Sequence, residues 1–335
     1  MSIEKIKNAI RAPRLLYIVV RNINCQKAFL KAHILPELEK ARSTADGSMD
    51  ERDFTKITNY YGLAVPAVLG EAFCALRGRP MTKKERMACT CQGVITGLGD
   101  DYFDKKKLSN SELKKMIEDP GEFSGATAFE KLSLHFLRSA LENSPDPRLM
   151  KARLERVYLA QVLSKKQSAP GLSKEEITDI TLRKGADSLL FYRSVFSNPI
   201  NKEEEKALYA LGGLMQLGND IFDLYEDLQQ DIDTLITTAA NISEVRTKFL
   251  SLLKLGYTAA YKTGYPAANA KKFIDIISIS VFSRCMVCLN QLQKLETRSG
   301  NTFTPSKYKR KDLVCDMDTV GNIWRSVKFH IKYAK

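Results

Sequence analysis

Apolar residues recur at three- and four-residue spacing along almost the whole chain, and no segment alternates apolar and polar residues as a strand would. That pattern leaves helices packed on helices as the one economical fold class. The spacing predicts helices over about 4–42, 51–76 (with Pro66 as a kink) and 82–107, and a short one from Ser109 or Asn110 to Asp119-Pro120-Gly121. It predicts further helices over about 127–143, 147–168, 173–197, 203–237, 242–262, 267–298 and 313–332. Breakers separate them, among them Arg77-Gly78-Arg79-Pro80, Ser144-Pro145-Asp146-Pro147, Asn198-Pro199 and Gly264-Tyr265-Pro266. Thr82 with Glu85 three residues on makes a capping box. No unit of about 30–45 residues repeats, which argues against a solenoid. The longest interruption, Ser299 to Arg310, is about 12 residues. The reading is one all-α domain over residues 1–335, a single large bundle able to enclose a central cavity.

Charge is the one compositional anomaly. Lys and Arg number 52 against 39 Asp and Glu, a formal net charge of +13. A basic surface suits a polyanion: nucleic acid, a membrane surface or a phosphorylated small molecule. The apolar run Leu15–Val20 is too short for a signal-peptide core, and no window reads as the ~20 apolar residues of a transmembrane helix. The expectation is a soluble, unprocessed chain. Seven cysteines, an odd count spread over a chain of this length, do not look like a disulfide framework. Cys89 and Cys91, and Cys285 and Cys288, lack the further ligands of a zinc site, and His33, His135 and His330 are far apart in sequence. Buried free thiols in a reducing cytoplasm are expected.

Two acidic segments concentrate the chemistry. The first is Gly99-Asp100-Asp101-Tyr102-Phe103-Asp104. On a helix Asp100 and Asp104 share a face, with Asp101 beside it. Three crowded carboxylates repel one another unless cations hold them, and Mg²⁺ takes carboxylate oxygens while keeping positions open for phosphates. The second lies in Gln216-Leu217-Gly218-Asn219-Asp220-Ile221-Phe222-Asp223-Leu224-Tyr225-Glu226-Asp227. There Asn219, Asp223 and Asp227 fall at i, i+4 and i+8 on one helix face, with Asp220 adjoining. Each segment alone could be a solvated helix end. Two of them, each after an apolar Gly-containing stretch, point to a metal–phosphate site.

At these residues the sequence resembles the class I isoprenoid synthases: terpene cyclases, trans-prenyltransferases and squalene/phytoene synthases. Asp100-Asp101-Tyr102-Phe103-Asp104 is similar to their first motif, DDxxD. Asn219, Asp223 and Asp227 resemble the second motif of terpene synthases, with Asp in place of the usual middle Ser or Thr and final Glu. The same stretch is also similar to the FQxxDDxxD region of trans-prenyltransferases and to the LGxxxQLxNxxxDxxED stretch of squalene and phytoene synthases. The GGKRxRP signature of chain-elongating enzymes is missing, with Arg77-Gly78-Arg79-Pro80 a faint echo, and no nicotinamide fingerprint is present. Both departures favour a terpene synthase.

The resemblance implies a Mg²⁺-dependent enzyme that ionises a linear prenyl diphosphate and steers the resulting carbocation. Asp100, Asp101, Asp104, Asn219, Asp220, Asp223 and Asp227 would hold three Mg²⁺ ions. Arg183 or Lys184, in Leu182-Arg183-Lys184-Gly185-Ala186-Asp187-Ser188, would meet the diphosphate, with Arg193 further along. Tyr308 and Arg310 match the C-terminal Arg-Tyr pair that closes some bacterial-type sites. Phe103, Phe191, Tyr192 and Phe222 would form cation-stabilising walls, with Tyr60, Tyr61, Phe73 and Trp324 also available. A homodimer, common in the superfamily, is implied by analogy. Alternatives remain: a prenyltransferase of the same superfamily, or a basic helical nucleic-acid-binding protein, which would leave both acidic segments unexplained.

Overall fold

The structure is a computed structural model that describes residues 3–44, 46–104 and 108–334; for Ile3, Glu4 and Asp104 only the backbone is described. It is 78% helical and, among the described residues, has no strand, so the all-α expectation is met. In chain order the helices are α1 (Ile3–His33), α2 (Leu35–Thr44), α3 (Glu51–Thr55), α4 (Gly62–Ala64), α5 (Glu71–Arg77), α6 (Lys83–Asp104), α7 (Asn110–Glu118), α8 (Ala128–Asn143) and α9 (Pro147–Ser164). They continue as α10 (Lys174–Arg193), α11 (Lys202–Phe222), α12 (Leu224–Gln229), α13 (Ile242–Ala260), α14 (Ala267–Ile277), α15 (Ser283–Arg298), α16 (Arg310–Leu313) and α17 (Val320–Tyr333).

Four predicted long helices are interrupted, the first of them, over 4–42, at Ile34 between α1 and α2. Between 51 and 77 two π-helical stretches, Lys56–Tyr61 and Val65–Gly70, alternate with α-turns, and Pro66 sits in the second. A third, Ser278–Phe282, joins α14 to α15. The predicted helix over 203–237 ends at Phe222, bends at Asp223 and resumes as the short α12.

The chain divides into two compact units. One comprises residues 17–157 and 191–199, the other residues 1–16, 158–190 and 200–335. The boundaries at 16/17, 157/158 and 190/191 fall inside α1, α9 and α10.

In the 17–157 unit, α6 packs along α8. Val94, Leu98 and Tyr102 of α6 are buried, as are Phe129, Leu132, Phe136 and Leu137 of α8. The Tyr102 and Phe129 rings meet edge to face at 4.8 Å. The capping box is formed: Thr82 N–H donates to Glu85 Oε2 at 3.0 Å, and Glu85 N–H donates to Thr82 Oγ1 at 3.2 Å. Glu85 also pairs with Arg77 and Arg79, each at 2.8 Å, and the Arg77–Glu85 pair is buried. Gly78, between the two arginines, adopts φ +73°, which a side chain would strain.

In the other unit, α11 packs on α13 and α15, and α15 on α17. The stretch Ala267–Arg298 is long and apolar enough to cross a membrane, with mean hydropathy 1.6 over its best window, contrary to the sequence expectation that no window qualifies. Seventy-two per cent of that window is buried inside the fold, which makes it a core helix. All seven cysteines are free, and all but Cys25 are buried. Burial pushes the Cys91 and Cys285 thiols up to about 12, which leaves them protonated and unreactive.

Candidate functional site

The two acidic segments fall in different units, and each is built from its own surroundings. Asp100 and Asp101 occupy the last turn of α6. Tyr61 Oη donates to Asp100 Oδ2 at 2.8 Å. Lys56 Nζ pairs with Asp101 Oδ1 at 2.8 Å, and Asp101 is 1% exposed. Both partners stand on the π-helical stretch Lys56–Tyr61. Five residues are about 140° apart around an α-helix but come nearly full circle in an i→i+5 turn. Gly93 and Gly97 on α6 let that stretch approach: a Cβ on Gly97 would lie 2.8 Å from Tyr61 Cδ2, and one on Gly93 2.9 Å from Tyr61 C. Asp104 closes α6, and its side chain lies outside the described residues.

The second segment spans the end of α11, the bend and α12. Asn219, Asp223 and Asp227 do not share one uninterrupted helix, because Asp223 adopts φ −90°, ψ 7° between the two. The one-turn steps nonetheless survive. Asp223 N–H donates to Asn219 O at 2.9 Å, and Asp227 N–H donates to Asp223 O at 2.8 Å. The side chains join as well, with Asn219 Nδ2 donating to Asp223 Oδ2 at 2.7 Å. Asp220 is buried and accepts from Gln216 Nε2 at 2.8 Å and Thr181 Oγ1 at 3.5 Å. Burial pushes its carboxyl up to about 6. Asp227 is pushed up to about 7, by burial first and then by the charges of Asp220 and Asp223. Lys184 opposes both shifts, which places its ammonium within electrostatic reach of the two carboxylates.

Lys184 precedes a glycine crossing. Gly185 of α10 and Gly212 of α11 lie against each other, and a Cβ on Gly212 would come within 2.7 Å of Ala186 Cα. Gly185 therefore serves helix–helix approach. Its neighbour Arg183 is exposed and pairs with Asp179 at 2.9 Å, one turn back.

The other predicted residues are placed as follows. Arg193 is 1% exposed and donates to the carbonyls of Phe196 and Asn198 at 3.1 and 3.2 Å, tying down the chain after α10. Phe191 is buried, and so is Tyr192, whose Oη donates to Thr96 Oγ1 at 2.9 Å. Phe103 and Phe222 are half-buried. Phe73 is core, packed on Phe196 at 5.6 Å, while Tyr60 and Trp324 are exposed. Tyr308 Oη donates to Thr302 O at 3.1 Å. Arg310 stands 3.6 Å from Glu226 and over the Tyr225 ring, beside the helix that carries Asp227. Lys56 was not anticipated from the sequence, and Tyr61 only as an aromatic wall, because an α-helical periodicity does not put them on one side.

Among the described residues no group of three or more His, Cys, Asp or Glu is disposed to hold a metal ion. The donor chemistry nonetheless suits Mg²⁺, which takes one or two carboxylates and completes its shell with phosphate oxygens and water. Asp100 and the Asn219–Asp223 pair are of that kind. No family model, curated protein or solved structure matches the chain.

Proposed function

We propose that this protein is a Mg²⁺-dependent class I terpene synthase acting on a linear prenyl diphosphate. The observation that carries the reading is the row Asn219–Asp223–Asp227 beside buried Asp220, with the Lys184 cation within electrostatic reach of it. Carboxylates crowded at a helix bend are unfavourable in themselves and become useful when they share a cation.

Asp100, Asp104, Asn219, Asp223 and Asp227 would supply the oxygen ligands. Bound Mg²⁺ would offset the charge that develops on the departing diphosphate. Tyr61 orients Asp100 by its hydrogen bond, and Lys56 fixes the neighbouring Asp101. Lys184 would bind diphosphate oxygens directly, and Arg310 would leave its exposed partner Glu226 for the same anion. Phe103 and Phe222, half-buried beside the two acidic segments, would keep water from the allylic cation and present ring faces to it.

The test is product analysis with C10 to C25 prenyl diphosphates and Mg²⁺. Hydrocarbon or alcohol of unchanged carbon number is expected, and Asp100→Ala should abolish diphosphate release. Growth only with isopentenyl diphosphate, or doubling of the chain, would make the protein a prenyltransferase. Diphosphate release that survives Asp100→Ala would remove the site assignment.

A further inference from the structure

The helices α15 and α17 pack side by side, and with the segment from Lys311 to Asp316 they line a groove of about 660 Å³. None of the predicted active-site residues lines it. Its walls carry Lys294 and Arg298 from α15, Lys311, and Arg325, Lys328 and Lys332 from α17. Among the described residues none of these six forms an ion pair with a carboxylate. The two acids in the walls are committed to backbone. Asp312 accepts from Lys309 N–H at 3.3 Å and Asp316 from Asp318 N–H at 2.9 Å. Six cations against these two carboxylates leave the groove with an excess of positive charge, which favours an anion there.

A second observation adjoins the first. Val320, Ile323 and Trp324 open α17 at i, i+3 and i+4, and they are 83%, 45% and 58% exposed. Lys328, a groove residue, sits 5.5 Å from the centre of the Trp324 ring. A soluble polyanion would fill the groove and leave these three apolar side chains in water. A nucleic-acid backbone gives aliphatic side chains nothing to bury against. An anionic bilayer surface answers both features, with phosphate headgroups for the cations and an interfacial layer for tryptophan and aliphatics.

We propose that the α15–α17 groove and the first turn of α17 dock this protein onto membranes carrying anionic phospholipid headgroups. This does not rest on the terpene synthase reading. Trp324 is the chain's one tryptophan, so tryptophan emission reports on this surface alone. The full chain is mixed with vesicles of phosphatidylcholine, alone or with phosphatidylglycerol. Co-sedimentation and a blue shift of the emission are expected with the mixed vesicles only, both reversed by salt. The triple substitution Arg325→Glu, Lys328→Glu, Lys332→Glu should lower partitioning at least about tenfold while circular dichroism is unchanged. Trp324→Ala should weaken co-sedimentation. No binding to mixed vesicles, or equal binding to phosphatidylcholine alone, would overturn the proposal. So would retention of duplex DNA or inorganic polyphosphate without vesicle binding.

Discussion

Asp101 shows how much a single partner decides. Its carboxylate is buried at the end of α6 and is paired with Lys56, whose own side chain is 36% exposed. The pair is therefore neither a surface pair of negligible worth nor a fully buried one. Replacing Lys56 by Met should lower the unfolding free energy by about 1–3 kcal/mol, read in a urea titration, because the acid then loses its counter-charge. His330 is the residue whose titration should be visible. It is buried on α17, its Nδ1 lies 3.1 Å from Ser278 Oγ, and burial holds its pKa down at about 4, with the Lys271 cation adding to the effect. Lys271 is itself engaged by Asp275 and by Asn8. The folded state thus binds this proton less readily than the unfolded chain, whose imidazole titrates near 6.5. Stability from this group is present above pH ~6.5 and is lost as pH falls towards ~4, by up to about 3 kcal/mol. His330→Asn should flatten that part of the stability–pH curve, whatever it does to the plateau. Little of this was legible in the sequence. A lone histidine in an amphipathic segment carries no mark of its burial, and Lys56 carries none of its distance from Asp101, 45 positions on.

Among helices, legibility followed periodicity. Helices α6, α8 and α13 have clean three- and four-residue spacing and capping residues, and their ends lie within a few positions of the predicted ones. The stretches 51–77 and 267–298 read as continuous because π-turns preserve helical hydrogen bonding and apolar content while shifting phase. The bend at Asp223 was hidden for another reason: Phe222-Asp223-Leu224 contains no proline or glycine to announce it. The glycine pair at the α10–α11 crossing was visible as two small residues, but its role was not. Gly185 lies in the segment expected to meet a diphosphate, yet what it packs against is Gly212. Gly212→Ala should cost about 1–3 kcal/mol or more in a thermal or urea melt, since its Cβ would meet backbone on α10 that cannot swing aside. The same substitution would displace Lys184 from Asp220 and Asp227, so substrate affinity should fall with stability. A surface Ala on α10 in place of Arg183 should change neither by much.

For the whole molecule, the all-α class followed from one property of the sequence, the lack of any alternating segment. The division into two interleaved units did not, because its boundaries fall inside helices where composition is unremarkable. The proposed function makes one demand that neither acidic segment meets alone: both must serve a single substrate. Alanine variants of Asp100 and Asp223 should then be strongly non-additive, the double variant releasing diphosphate no more slowly than the worse single one. Independent sites would multiply the two losses. A companion measurement needs no turnover. Mg²⁺ with inorganic pyrophosphate should raise the melting temperature by a few degrees, through preferential binding to the folded chain, and neither should do so alone. The excess of 52 basic over 39 acidic residues has a partial address in the α15–α17 groove, where six of the cations gather.

The π-turns have a hereditary consequence. Each behaves as one residue inserted into an α-helix, with Gly62 N–H closing back on Ile57 O across five positions. An in-frame loss of one codon between 56 and 61 would leave a helix that still reads and folds as a helix. The turn would close with i→i+4 bonds, and the stretches on either side would keep nearly the same phase. Lys56 and Tyr61 would then stand four positions apart on one face, still able to reach Asp101 and Asp100 together. Such a deletion should be mild, whereas the same loss within the unbroken α8 would turn one side of that helix by about 100° relative to the other.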